Sequence, residues 1–123
     1  MAVPRISKED LKQRLEAADT AVRPLIIDVR LKYPYEHSTV RLPGAIRVAP
    51  TGEGYSMLPR DRDIVAYDSD PDELVSSRVA ADLIRHGYKA CALKGGIADW
   101  MGANYPVEAR EAASRVTAPP SKD

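Results

Sequence analysis

Three short apolar runs constrain this chain more than any other feature. Leu25-Ile26-Ile27 leads into Asp28-Val29, Asp63 precedes Ile64-Val65-Ala66-Tyr67, and Ala90-Cys91-Ala92-Leu93 is closed by Gly95-Gly96. Continuous runs of this kind, without polar alternation, mark strands buried on both faces of a sheet. Helical patterns separate them. Ser7 is an N-cap for Lys8–Leu15, where Leu11 and Leu15 share a face and Asp10 supplies a weak variant of the capping box. The strongest helix signal is Asp72–His86, with Leu74, Val75, Val79, Leu83 and Ile84 on one stripe and Gly87 as the stop. Ile97–Gly102 is a short helix carrying Trp100. Pro43-Gly44 is a turn before a further short strand, Ala45–Val48, and the segment from Pro50 to Pro59 is a loop rich in Gly and Pro. Strands alternating with helices at these spacings predict an α/β fold, a parallel sheet with helices on both faces.

The chain of 123 residues is the length of one domain. Eighteen basic and eighteen acidic side chains cancel, so no global field favours nucleic acid or an anionic membrane. No apolar stretch is long enough to span a bilayer, and Met1-Ala2-Val3-Pro4-Arg5 lacks the apolar run of a signal peptide. The single cysteine, Cys91, cannot form an internal disulfide, which fits a reducing, cytoplasmic setting. From Glu108 onward the sequence is rich in Ala, Arg and Pro. The expected organisation is one domain over 1–107 and a short helix or frayed tail over 108–123.

The most informative loop is Asp68-Ser69-Asp70-Pro71-Asp72-Glu73, where a strand hands over to the long helix. Such a handover usually binds anions, because the helix start offers free N–H donors and a partial positive charge. Four carboxylates there oppose an anionic ligand. Three readings of the acids stand side by side. In the first, Asp70 is the N-cap, Pro71 stands at N1 and Glu73 at N3 closes a capping box. In the second, Asp68, Asp70 and Asp72 alternate as in a calcium loop, although Glu73 stands where that loop needs Gly and Val79 where it needs Glu. In the third, Asp-x-Asp after a strand is like the start of a haloacid-dehalogenase-type phosphatase, but it continues with Pro-Asp instead of Gly-Thr.

Four blocks, in order, resemble a single-domain rhodanese. Ile27-Asp28-Val29-Arg30 resembles the family's first-strand signature, and Leu42-Pro43-Gly44-Ala45-Ile46 its H-I-P-G-A turn and strand. Leu58 to Tyr67 resembles the strand leading to the active-site loop. Leu93-Lys94-Gly95-Gly96-Ile97-Ala98-Asp99-Trp100, with Tyr105-Pro106-Val107, resembles the C-terminal signature. The resemblance implies a rhodanese-like fold, a central parallel sheet of about five strands flanked by helices. It also implies that the residue after the third block is a cysteine carrying a persulfide. Here that position is Asp68, and Asp68 to Glu73 matches a loop of the form C-S-C-P-N-E with both cysteines replaced.

A carboxylate cannot accept sulfane sulfur, so no catalytic residue is expected. The loop is active-site-like only, with Arg78 matching the arginine that closes the family's anion loop or pairing with Asp72, Glu73 or Asp82. Arg30, next to Asp28, supports the loop through a charge-assisted hydrogen bond. Cys91 falls on the following strand and reads as inert core. His37 and His86 lack a Ser or Cys partner; His86, before Gly87, suits a helix end, and Trp100 suits the core. The expected function is a catalytically silent module that binds or regulates a protein partner, with no cofactor and no metal. The alternative is a thiosulfate sulfurtransferase, should the loop align otherwise or the chain be an altered form of a cysteine-bearing parent.

Overall fold

The apolar runs lie side by side at the centre of one parallel sheet. The computed structural model of the chain describes residues 3–20, 23–69 and 73–109. In chain order the elements are β1 (Arg5–Ile6), α1 (Lys8–Leu15), β2 (Leu25–Asp28), α2 (Lys32–His37), β3 (Val40–Arg41), β4 (Ile46–Arg47), a 3-10 turn (Tyr55–Met57), β5 (Asp63–Tyr67), α3 (Leu74–Arg85), β6 (Lys89–Leu93), α4 (Gly96–Gly102) and β7 (Glu108–Ala109). The main sheet has five strands in the order β1-β6-β5-β2-β4, all parallel. Its register sets Ile27 opposite Ala66 and Val65 opposite Cys91.

Because side chains alternate along a strand, the sheet has two apolar faces. Ile27, Ile64 and Ala66 meet Val79, Ala80 and Leu83 of α3 on one side. Ile26, Val65 and Tyr67 meet Leu11 of α1 and Ile97 and Trp100 of α4 on the other. Helices therefore cover both faces, as the apolar runs require. Ser7 caps α1 as expected, its hydroxyl accepting the Asp10 N–H at 3.1 Å. Trp100 is fully buried, its indole N–H donating to the Pro106 carbonyl at 2.7 Å. No helix among the described residues is long and apolar enough to cross a membrane.

Three expectations need correction. The long helix begins at Leu74, later than Asp72, because Glu73 adopts a left-handed φ of 60° and cannot continue it. It ends at Arg85 in a Schellman arrangement: Tyr88 N–H donates to the Leu83 carbonyl and Gly87 N–H to that of Ile84, both at 3.0 Å. Gly87, at φ +89°, is the residue that makes this turn cheap. Second, the strand expected over Ala45–Val48 contracts to Ile46–Arg47. α2, not singled out from the sequence, forms with Pro34 inside it. Proline falls in its first turn, where its missing N–H is no loss. Third, Glu108–Ala109 is neither helix nor tail but pairs antiparallel with Val40–Arg41. Residues 110–123, the remainder of the expected tail, lie outside the described residues.

Parallel pairing delivers the ends of β2, β4, β5 and β6 to a single edge, so Asp28, Arg47, Tyr67 and Leu93 all lead into loops on that side.

Candidate functional site

Asp68 follows β5 directly and is 1% exposed. Its carboxylate Oδ2 accepts the backbone N–H of Ser76 at 2.6 Å, and its carbonyl accepts that of Ile97 at 3.0 Å. Ser76 is the third residue of α3, whose N–H has no partner within the helix. Asp68 thus performs the work of an N-cap side chain from eight residues upstream. It also sews the start of α3 to the start of α4. The Ser76 hydroxyl beside it is buried without a hydrogen-bond partner among the described residues.

Glu73 faces away from this contact. Its carboxylate, 2% exposed, accepts Nε and Nη2 of Arg5 at 2.6 and 2.5 Å and the N–H of Gly95 at 3.1 Å. The capping box expected of Glu73 is therefore overturned: it stands at the N-cap position without a side-chain cap bond, and its acid is engaged elsewhere. Hydrogen bonding from Arg5 holds its carboxyl below the usual carboxylate range, against burial and with help from Gly95 and from the charges of Arg5 and Lys94. Gly95 is needed here. At φ +75°, a side chain on it would collide with the carboxyl of Asp99. Asp70, Pro71 and Asp72, the rest of the expected loop, lie outside the described residues. Ser69 is exposed.

Arg78 is half-exposed, donates to the Pro50 carbonyl at 3.3 Å and pairs loosely with Asp82 at 4.0 Å. Of the partners expected for it, Asp82 is the one found; it ties α3 to the Gly/Pro loop.

Asp28 and Arg30 do meet, in a fork-shaped pair with both side chains 3% exposed. Arg30 Nη2 lies 2.6 Å from Asp28 Oδ2, and Nε lies 3.0 Å from Oδ1. The Tyr67 hydroxyl donates to Asp28 Oδ2 at 3.0 Å and accepts the Leu42 N–H at 3.3 Å. Arg30 also donates to the Val40 carbonyl at 3.0 Å. The pair therefore holds the segment around Val40 directly, and reaches Asp68 through its neighbour Tyr67. Burial opposes the Arg30 charge, but Asp28 more than reverses that, and the guanidinium pKa rises. Burial first, then the Asp28 charge, pushes the Tyr67 phenol far up, so it stays a donor. Tyr67 read in sequence only as strand; a tyrosine ending a buried run was the available sign, since its hydroxyl needs a partner. Arg5 gave no sign at all.

Cys91 is half-buried on β6 rather than fully enclosed, with its side chain packed at the edge of the core. Burial pushes its thiol up to about 11, so the thiolate is scarce at neutral pH. His86 caps the end of α3, its Nδ1 2.7 Å from the Asp82 carbonyl, and His37 stacks on Tyr33. Among the described residues no cluster of three or more metal-ligating side chains exists.

Residues 7–103 match the rhodanese-like domain, and the chain belongs to that family. No curated protein matches it. Among solved structures, a full-length protein from Lactobacillus plantarum superposes with a TM-score of 0.77 at 21% identity, covering 86% of this chain and 88% of its own. A rhodanese-related protein from Thermoplasma volcanium gives 0.70 at 20%, covering 85% and 97%. The rhodanese-like domain of an Anabaena protein, solved in solution, gives 0.67 at 26%, covering 98% and 88%. These likenesses support the parallel five-stranded fold and a single domain.

Proposed function

We propose that this chain is a catalytically silent rhodanese-like module that binds or regulates a protein partner in a reducing, cytoplasmic compartment. In this reading Asp68 replaces the sulfur-carrying cysteine, and Ser69, Asp70, Pro71, Asp72, Glu73 and Arg78 complete a loop that is active-site-like in place but not in chemistry. The observation that carries it is the Asp68 carboxylate, buried and bonded to the Ser76 N–H at 2.6 Å. A carboxyl group already occupies the helix start and takes the N–H donor that an incoming oxyanion would need. Asp28 and Arg30 support this arrangement through Tyr67.

Family membership favours the alternative, a sulfurtransferase. Its nucleophile would have to be Cys91, the one thiol of the chain. That thiol belongs to β6, paired with Val65 in mid-sheet, and is held protonated by burial. The deciding measurement is thiosulfate-to-cyanide sulfur transfer by the unmodified chain, by Asp68→Cys and by Cys91→Ser. The silent reading expects background turnover from the unmodified chain and from Cys91→Ser alike. Rapid thiocyanate formation that Cys91→Ser abolishes would establish the enzyme instead.

A further inference from the structure

The edge of the sheet opposite Asp68, where β2 and β5 begin, carries two arginines that pair with no carboxylate among the described residues. Arg23 donates from Nε and Nη2 to the Ala17 carbonyl at 2.9 and 2.6 Å. Arg62 reaches across to the carbonyls of Arg23 and Pro24 at 3.2 and 3.4 Å. Both side chains are thereby fixed by neutral acceptors, and each keeps its Nη1 edge unengaged by any described residue. Every other described arginine except Arg60 faces a carboxylate within 4.0 Å. Arg60 instead lies over the Tyr88 ring and donates to the His86 carbonyl.

The described acids nearby do not line the cavity that the two arginines share, Asp19 included. Asp63 is held by Arg14 at 2.9 Å, and Glu108 by Arg41 at 3.3 Å and the Gly44 N–H at 3.0 Å. Asp61, beside Arg62 in sequence, makes no ion pair with a described residue and does not line the cavity that the two arginines share. That cavity has a volume of about 270 Å³, and its remaining walls include Leu15, Pro24, Leu25 and Pro43. Two positive charges positioned in one small concavity repel each other until a dianion joins them, and guanidinium edges suit phosphate oxygens.

We propose that Arg23 and Arg62 form a second binding site, for a phosphate dianion borne by a small molecule, at the far edge of the sheet from Asp68. The arginines take the phosphate, and the leucine and proline walls take a compact apolar substituent. The site is independent of the role assigned to Asp68.

Calorimetric titration with inorganic phosphate and with phenyl phosphate tests this at about pH 8, where the phosphate group is chiefly dianionic. Acetate and chloride at matched ionic strength are the controls. The expected result is saturable binding of phosphate, tighter binding of phenyl phosphate, and none of acetate or chloride. Arg23→Gln and Arg62→Gln should each weaken binding about tenfold or more, as loss of a charge-assisted bond does. Arg60→Gln, outside the cavity, should leave it unchanged. Amide chemical shifts should move at Leu25, Ile26 and Gly44, and stay fixed at Ser76 and Gly95. Absence of saturable binding, equal weakening by Arg60→Gln, or shifts centred on Ser76 would each overturn the site. Rejection of phenyl phosphate while phosphate binds would overturn the assignment to a phosphate ester. Should Arg23→Gln fail to fold, Arg62→Gln decides alone.

Discussion

Two acid–arginine pairs flank the same loop edge, and they are built in opposite ways. Asp28 and Arg30 are two residues apart, both enclosed, and knitted to Tyr67 and the backbone of Val40. Glu73 and Arg5 are 68 residues apart, with the acid enclosed and the arginine half in solvent. The first is a local motif whose desolvation is offset by dense hydrogen bonding. The second is a long-range tie whose strength depends on how well its exposed partner is held. A buried pair with one partner removed leaves an uncompensated charge in the core; a half-exposed pair lets water take the missing partner's place.

The largest effect expected from this contrast is Arg30→Ala. It leaves Asp28 with the backbone N–H of residue 30, the Tyr67 hydroxyl and Arg47 at 3.8 Å, but without its fork-shaped partner, and should lower unfolding free energy by about 3–5 kcal/mol. Urea denaturation checks it, and a loss below that of Tyr67→Phe would break the comparison. Tyr67→Phe comes next. It removes one donor to Asp28 and one acceptor for the Leu42 N–H, at a cost of about 1–3 kcal/mol by the same measurement.

Asp68→Asn keeps an oxygen for the Ser76 N–H but removes its charge. The expected loss is about 1 kcal/mol, the size of a helix-cap and dipole effect. A stabilising result would mean that the neighbouring carboxylates repel Asp68 more than the helix start holds it.

The smallest effect is expected of Arg5→Gln, and its signature is pH. Glu73 has a folded-state pKa lowered from 4.5, chiefly by Arg5. Its contribution is therefore present above its unfolded pKa and lost as pH falls through the lowered folded value. Arg5→Gln should flatten the acid limb of the stability–pH profile: its modest loss is full at neutral pH and fades as pH falls through the lowered folded value. An unchanged acid limb would show that Gly95 alone holds the carboxylate.

What could be read in advance follows the same division between local and distant. The three apolar runs announce their strands, because a strand buried on both faces must be apolar throughout. Ser7 and Gly87 announce the helix ends, because capping is decided within a few residues. Asp28–Arg30 was legible for the same reason. Glu73 was misread because the local pattern Asp70-Pro71-Asp72-Glu73 fits a capping box, whereas Arg5 and Gly95 compete for its carboxylate from elsewhere in the chain. The strand at Glu108–Ala109 was hidden likewise, since its pairing partner, Val40–Arg41, lies far upstream. The unaccompanied arginines at 23 and 62 carry no sequence signature either; only their shared cavity sets them apart.

The strand order carries a consequence for synthesis. Among the described strands β1 pairs with β6 alone, which is made much later than β1, and Arg5 within β1 awaits Glu73. On the ribosome, the edge of β6 stays uncovered and the buried acid stays unneutralised until both lengths of chain have emerged and met. Closing so long a loop is slow, so the last step of assembly should be the docking of β1 onto β6. Fusions that tether Arg5 and Ile6 away from Lys89–Leu93 would then delay the one step that completes the sheet.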